Sequence, residues 1–342
     1  MKKVFCLVIL FFCLQTNAEN IVRLPSVLNK IVVAQDGSGH FRSIQAAINS
    51  LSGKADYDRV IFVKNGIYKE KIYIEQSNII IEGESREKTI LTASIARDQW
   101  RCFVNDDWGV ATMNIMGSDI TLLNLTVANT FGFDLGNDVV KVDCILDTIN
   151  KVKEIKANTH QMALRTMHGT RIKAINCHFM AKGGDTVSPW NVVEGMFYFK
   201  DCVMEGGVDF YCPRGWAWAE NVRFIAHGGS AAIWHDGSVH EDSKTVLKNC
   251  TFEGYDGFKL GRYHRDAQFY LINCEFAANM ADRPIALVPT ANTILWGERI
   301  YYYNCKRQAD KQFSWYKNNL PDYISVKQIT PEWVFGKRWN IL

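Results

Sequence analysis

The sequence predicts an all-β fold: a single-domain, right-handed parallel β-helix with a short N-terminal capping helix. Three observations carry that expectation. A polar residue, usually followed by cysteine, returns at Asn176, Asp201, Asn221, Asn249, Asn273 and Asn304. The steps are 25, 20, 28, 24 and 31 residues, a period typical of solenoids. Each unit reads as short strand, turn residue, short strand, as in "RIKAINCHFMA" and "QFYLINCEFA", with no helical spacing. Leucine is not the recurring residue, which argues against a leucine-rich repeat. Coils of this kind stack roughly 4.8 Å apart.

The elements follow in chain order. "MKKVFCLVILFFCLQTNA", residues 1–18, reads as a secretory signal, with Lys2 and Lys3 ahead of an apolar run and a small-residue cleavage site. The run is too short for a membrane span. Residues 19–342 then form one domain, exported to the periplasm or the medium. In "SIQAAINSL", Ile44, Ala47, Ile48 and Leu51 share one helical face, suited to capping the open end of the stack. "RVIFV", "KIYIE", "NIIIEG" and "TILTAS" are short strands, and "SDITLLNLTVAN" is a further coil. Residues 137–156 interrupt the pattern and read as a surface insertion. The tail from Phe313 carries three tryptophans and is expected to pack back over the last coils.

Charge and cysteines exclude several classes. Without residues 1–18, which hold two lysines and no acids, the net charge falls from +3 to +1. That is no footprint for nucleic acid. Eight cysteines remain, and those at 177, 202, 250, 274 and 305 sit at one position of successive units. They are expected to be free, buried and stacked as small hydrophobes. No C-x-x-C pair exists, so neither zinc nor any other cofactor is expected. The chain is expected to be a monomer.

A solenoid converts spacing into geometry. Asp185 in "GGDTV" and Asp209 in "VDFYCP" lie 24 residues apart, about one coil, and Gln161 lies 24 before Asp185. Carboxylates on adjacent rungs interact strongly, so one can ionise while the other holds a proton. Arg262 in "LGRYH" is about two coils beyond Asp209 and can hold one acid ionised. Asp106 and Asp107 in "VNDDWG" read as an exposed loop rather than a calcium site. His235 in "IWHDG" is either a cleft residue or a hydrogen-bonded turn histidine.

The motifs "DGSGHFRSIQAAI", "VKNGIYKEKI", "MALRT", "GGDTV", "VDFYCP" and "LGRYH", in that order, resemble those of the pectin methylesterases of the pectinesterase family. The resemblance spans most of the mature chain and implies a parallel β-helix. It implies hydrolysis of galacturonate methyl esters in pectin or a related polygalacturonate, without metal. It assigns Asp209 as nucleophile, Asp185 as general acid/base and Arg262 as the arginine that ionises the nucleophile. Departures from the pattern are specific. Gly184 stands where the family has a glutamine. A second family glutamine aligns on His160 or, one step off, Gln161, and either is the candidate oxyanion donor. His264 replaces the family's substrate-stacking tryptophan, with Tyr263 beside it. Trp190, Trp216 and Trp218 are candidate replacement platforms. The alternatives are a pectin-binding relative with impaired catalysis and a calcium-dependent pectate lyase.

Overall fold

A computed structural model describes residues 30–341 apart from 52, 148 and 150. The expected signal segment, residues 1–18, lies outside the described residues. The chain winds as a parallel β-helix with three faces. Among the described residues the first has ten strands, from Ile31–Val33 to Arg299–Tyr303, and the second has nine, from Gly66–Lys69 to Lys306–Arg307. The third face is interrupted. Four strands, Ile72–Ile74, Ala111–Ile115, Met162–Thr166 and Val187–Pro189, are followed by Ala231–His235, Lys259–Tyr263 and Ala286–Leu287. Tyr211 spans the gap, bridging Val187 on one side and Ile233 on the other.

The reason for this winding is visible in the strands. Alternate residues point inward, and parallel in-register pairing stacks like on like. Ile61 pairs with Ile81, Ile172 with Phe197, and Phe224 with Phe252, whose rings stack at 4.6 Å. These side chains form one continuous core.

The polar repeat makes the corner between the first two faces. Asn124, Asn176, Asp201, Asn221, Asn249, Asn273 and Asn304 all adopt left-handed backbone, φ between 50° and 54°, a region that Asn and Asp tolerate. Their side chains form a ladder: Asn176 donates to Asn124 at 2.8 Å, Asn221 to Asp201 at 2.8 Å and Asn304 to Asn273 at 2.9 Å. The following cysteines, 177, 202, 250, 274 and 305, are free and buried, as is Cys212. The expectation of free cysteines needs one correction: Cys102 and Cys144 form a disulfide. Both lie outside the repeat, so the ladder argument did not reach them.

The helix Ile44–Asn49 buries Ile44, Ala47 and Ile48 over the first coils. Ser43 caps it, and the Glu70 carboxylate accepts from the amides of Ile44 and Gln45. The insertion is an antiparallel hairpin, Val139–Asp143 with Val152–Lys156, outside the coil stack and tethered through Cys144. The tail packs back in two places. Phe313 and Trp315 close the last coil against Phe276 and Tyr302. Helix Pro331–Phe335 lies against the outer side of the first face, on Trp216, Trp218, Val246 and Tyr270.

Candidate active site

The gap in the third face is where the two acids meet. Bridges link His160 to Gly184 and Gly184 to Val208, so three coils are in register one residue before Gln161, Asp185 and Asp209. Asp185 and Asp209 both take left-handed backbone, φ 58° and 49°. The turn throws both side chains outward, into a cleft of about 410 Å³. Small neighbours are needed here: a Cβ at Gly183 would lie 1.8 Å from the carbonyl of Thr159.

Arg262 grips Asp209 with two parallel bonds, Nε to Oδ1 at 3.0 Å and Nη2 to Oδ2 at 2.5 Å. Burial pushes the Asp209 carboxyl above its ordinary value, Arg262 pulls against that, and nearby Asp185 adds to the rise. The Cys212 thiol donates to the Asp209 carbonyl at 2.9 Å and lies 3.5 Å from Asp185 Oδ1. Burial keeps that thiol protonated.

The two candidates for the third position separate cleanly. His160 is part of the cleft wall, its Nε2 3.8 Å from Asp185 Oδ1, with 43% of its side chain exposed. Gln161 is fully buried: its amide donates to the carbonyls of Ala157 and Thr159 and accepts from Gly132 N–H. Gln161 therefore shapes the coil and does not reach the cleft. Gly184 and His160 are sterically linked, because a Cβ at 184 would sit 2.9 Å from His160 Cδ2 and 2.9 Å from Val208 Cγ1. The ring occupies the room that the missing side chain leaves.

Of the proposed sugar contacts, Trp190 lines the cleft, with the guanidinium carbons of Arg214 and Arg165 4.0 and 4.9 Å from its ring centre. His264 stands at the cleft edge, 3.3 Å from Asp236 and 4.7 Å between ring centres from Trp234. Four others are not in the cleft. Tyr263 is buried in the core, because its neighbour Arg262 points outward and strand residues alternate. Trp216 is buried on the first face, stacked on His240 and under Arg338, and Trp218 lies beside it. His235 is 1% exposed, accepts from Gly237 N–H, and burial pulls its imidazole down to about 3, so it stays neutral.

Alternation also shows what was missed. With Ile233 and His235 inward, Trp234 and Asp236 must face the cleft, and they do. Trp234 sits against Arg262, 4.9 Å from ring centre to guanidinium carbon, and its indole N–H donates to Asp236. Asp236 also pairs with the buried Arg214; burial opposes, but that arginine holds its carboxyl below the usual range. Asp107 is the second correction. It is no exposed loop acid: it pairs with Arg97 at 3.0 Å and with buried Arg165 at 3.2 Å beneath the cleft. With Arg101, 3.8 Å from Asp107, four arginines thus pair with two carboxylates. No group of His, Cys, Asp and Glu among the described residues has the geometry of a metal site.

Comparison with known proteins places these features. Residues 30–172 match the Pectinesterase family model. An Arabidopsis thaliana protein described as "Probable pectinesterase/pectinesterase inhibitor 17" is 29% identical over 196 residues, 57% of this chain and 32% of the relative. The chain thus spans about a third of that relative's length. The pectin methylesterase PemA from Erwinia chrysanthemi superposes with a TM-score of 0.69 at 21% identity, covering 92% of this chain and 98% of that one. A pectin methylesterase in complex with a hexasaccharide matches with the same TM-score, identity and coverage. Residues 30–172 are thus similar to the Pectinesterase family model, and the chain folds as the parallel β-helix of the solved pectin methylesterases.

Proposed function

We propose that the protein hydrolyses methyl esters of galacturonate in pectin, with Asp209 as nucleophile and Asp185 as general acid and base. The observation that carries this is the bidentate Arg262–Asp209 pair beside a second, differently partnered carboxylate. Two acids sharing a cleft resist joint ionisation. The guanidinium favours the charged form of Asp209, the nucleophile, and Asp185, facing a thiol and an imidazole, is left to serve as acid and base. Asp209 attacks the ester carbonyl carbon. The tetrahedral oxyanion collapses, the C–O bond to methoxide breaks, and Asp185 delivers its proton so that methanol leaves. Water then attacks the mixed anhydride, giving a proton back to Asp185 and freeing the galacturonate carboxylate and Asp209.

The oxyanion needs a donor, and His160 Nε2 faces the acids from the coil below. It does the work of a side-chain amide in the space opened by Gly184. Trp190, and Trp234 tilted against His264, give aromatic surfaces on the cleft walls for sugar rings. The protein acts as an exported enzyme, and its polymer substrate lies outside the cell.

Methanol release from methylated pectin by the purified protein, with acetate measured alongside, is the test. Asp209→Asn should abolish release while leaving the fold intact, and His160→Ala should slow it about a hundredfold, the scale of one lost oxyanion donor. Retained hydrolysis above a few per cent in Asp209→Asn would sink the assignment. Acetate in place of methanol would reassign the ester.

A further inference from the structure

The outer side of the first face, round a corner of the solenoid from the acid pair, carries a row of side chains that hydrolysis does not use. In-register pairing makes the row. Ala217 pairs with Thr245 and Thr245 with Phe269, so Trp216, Lys244 and Gln268, one residue earlier, are neighbours; Gln268 then pairs with Arg299. Ala217 and Phe269 are fully buried, so alternation turns the row outward. The tail of the chain lies over it. The Lys244 ammonium is 4.8 Å from the Trp333 ring centre, and the Arg338 guanidinium carbon is 3.8 Å from that of Trp216. A groove of about 430 Å³ opens beside the row, with Trp216, His240, Asp242 and Arg338 in its walls. None of these residues lines the cleft that holds Asp185 and Asp209.

The row is rich in donors and short of acceptors. Lys244, Arg299 and Arg338 bring three cations. Among the described residues, the one carboxylate paired with any of them is that of Asp242, 3.6 Å from Arg338 and 63% exposed. Lys244 donates to the backbone carbonyl of Asp242 and Arg299 Nη1 to that of Glu241. Arg299 Nε and Nη2 and Trp216 Nε1 are buried and have no hydrogen-bond partner. Trp216 is only 3% exposed, so bulk solvent does not serve its N–H. Burial pulls the Lys244 ammonium below its ordinary value; Asp242 pulls against that, and the charges of Arg338 and Arg299 add to the fall. Buried donors without acceptors and like charges side by side are both costly, and one ligand chemistry relieves both.

We propose that this row is a binding site for a small oxyanion, held from the sheet by Lys244, Arg299 and the Trp216 N–H and from the tail by Arg338. The anion supplies the missing acceptors and offsets the repulsion among the cations. Arg338 also donates to the carbonyls of Val334 and Phe335, so it is bound to the tail helix. A bound anion therefore ties that helix to the first face, and its release loosens the tail. The site is independent of the esterase reading, because no step of the hydrolysis passes through it. Its chemistry suits a free inorganic anion such as phosphate and the carboxylate of a sugar acid, and the experiment tells them apart.

The purified protein is titrated with sodium phosphate at constant ionic strength, and in a second arm with monomeric galacturonate. Phosphate should bind saturably. At a hundred times its Kd it should lower the unfolded-to-folded ratio in urea about a hundredfold. Lys244→Met with Arg299→Met keeps much of the aliphatic stems and should weaken binding about tenfold or more, the scale of a lost charged hydrogen bond. Arg338→Met, at a partly exposed position, should do the same, and it carries the test if the double variant fails to fold. Galacturonate binding with the same dependence on the three cations would keep the oxyanion site and make its occupant a sugar acid. If neither anion binds saturably in the millimolar range, or if parent and variants bind alike, the row is no anion site.

Discussion

Asp209 is placed in a contest between burial and one guanidinium. Burial and Asp185 favour its protonated form; Arg262 favours the charged form, the one that attacks in the proposed reaction. Loss of activity on the acid side should track protonation of this group. The sign follows. With Arg262 removed, the Asp209 pKa rises further, so Arg262→Gln should move the acid limb of kcat/KM to higher pH, beyond lowering the rate itself. A pH–rate profile checks this, and an unmoved limb would mean that Arg262 merely holds the strand. His160 shows the same economy. Its ring and the Cβ that Gly184 lacks compete for one volume, so the two positions must be read as a pair.

At the level of elements, the corner ladder joins local backbone demand to long-range stacking. Asn249 is left-handed, donates its amide N–H to the carbonyl of Ile272 and accepts from the Asn273 side chain at 3.2 Å. Asn249→Ala loses the side-chain rung and forces an alanine into left-handed backbone, a cost of about 1–3 kcal/mol. Asn249→Gly loses the rung but not the backbone freedom, and should cost about 1 kcal/mol less. Urea unfolding of the two variants separates the contributions; equal losses would show that the backbone demand is negligible. Elsewhere on the second face, Glu205 accepts from both His178 and His227. Burial opposes its charge, yet these bonds carry it down to about 2.

At the scale of the molecule, the solenoid is closed at both ends by segments of its own chain. Ending the chain after Thr330 removes Val334 and Phe335, both fully buried on the first face. Each such side chain is worth about 1.5–3 kcal/mol, so truncation should cost roughly 3–6 kcal/mol. Unfolding free energy checks this; a loss under 1 kcal/mol would show the helix to be ornamental. The whole-chain plan was legible because a repeat leaves a periodic record: the Asn–Cys series, the capping helix and the place of the insertion at 137–156 could all be read in one dimension, though not that the insertion is a hairpin. The acid pair and Arg262 were legible as multiples of a coil. What escaped was whatever depends on which side a residue faces. His235, Tyr263 and Trp216 were named for their chemistry, while strand alternation turns the first two away from the cleft and Trp216 lies on another face. Asp107, Arg97 and Arg214 come from segments outside the repeat or beside it, and only the folded chain brings them together. The Cys102–Cys144 pair joins two such segments and left no periodic trace.

The left-handed posture of Asp185 and Asp209 has a consequence for descent. It is the posture of the corner asparagines, and Asn and Asp satisfy it alike. Their codons differ by a single base. A coil that carries an inert amide at such a bend can therefore acquire a reactive carboxylate, or surrender one, without moving its backbone. Turnover in this architecture is separable from heredity of shape: lineages can lose the reaction and keep the molecule.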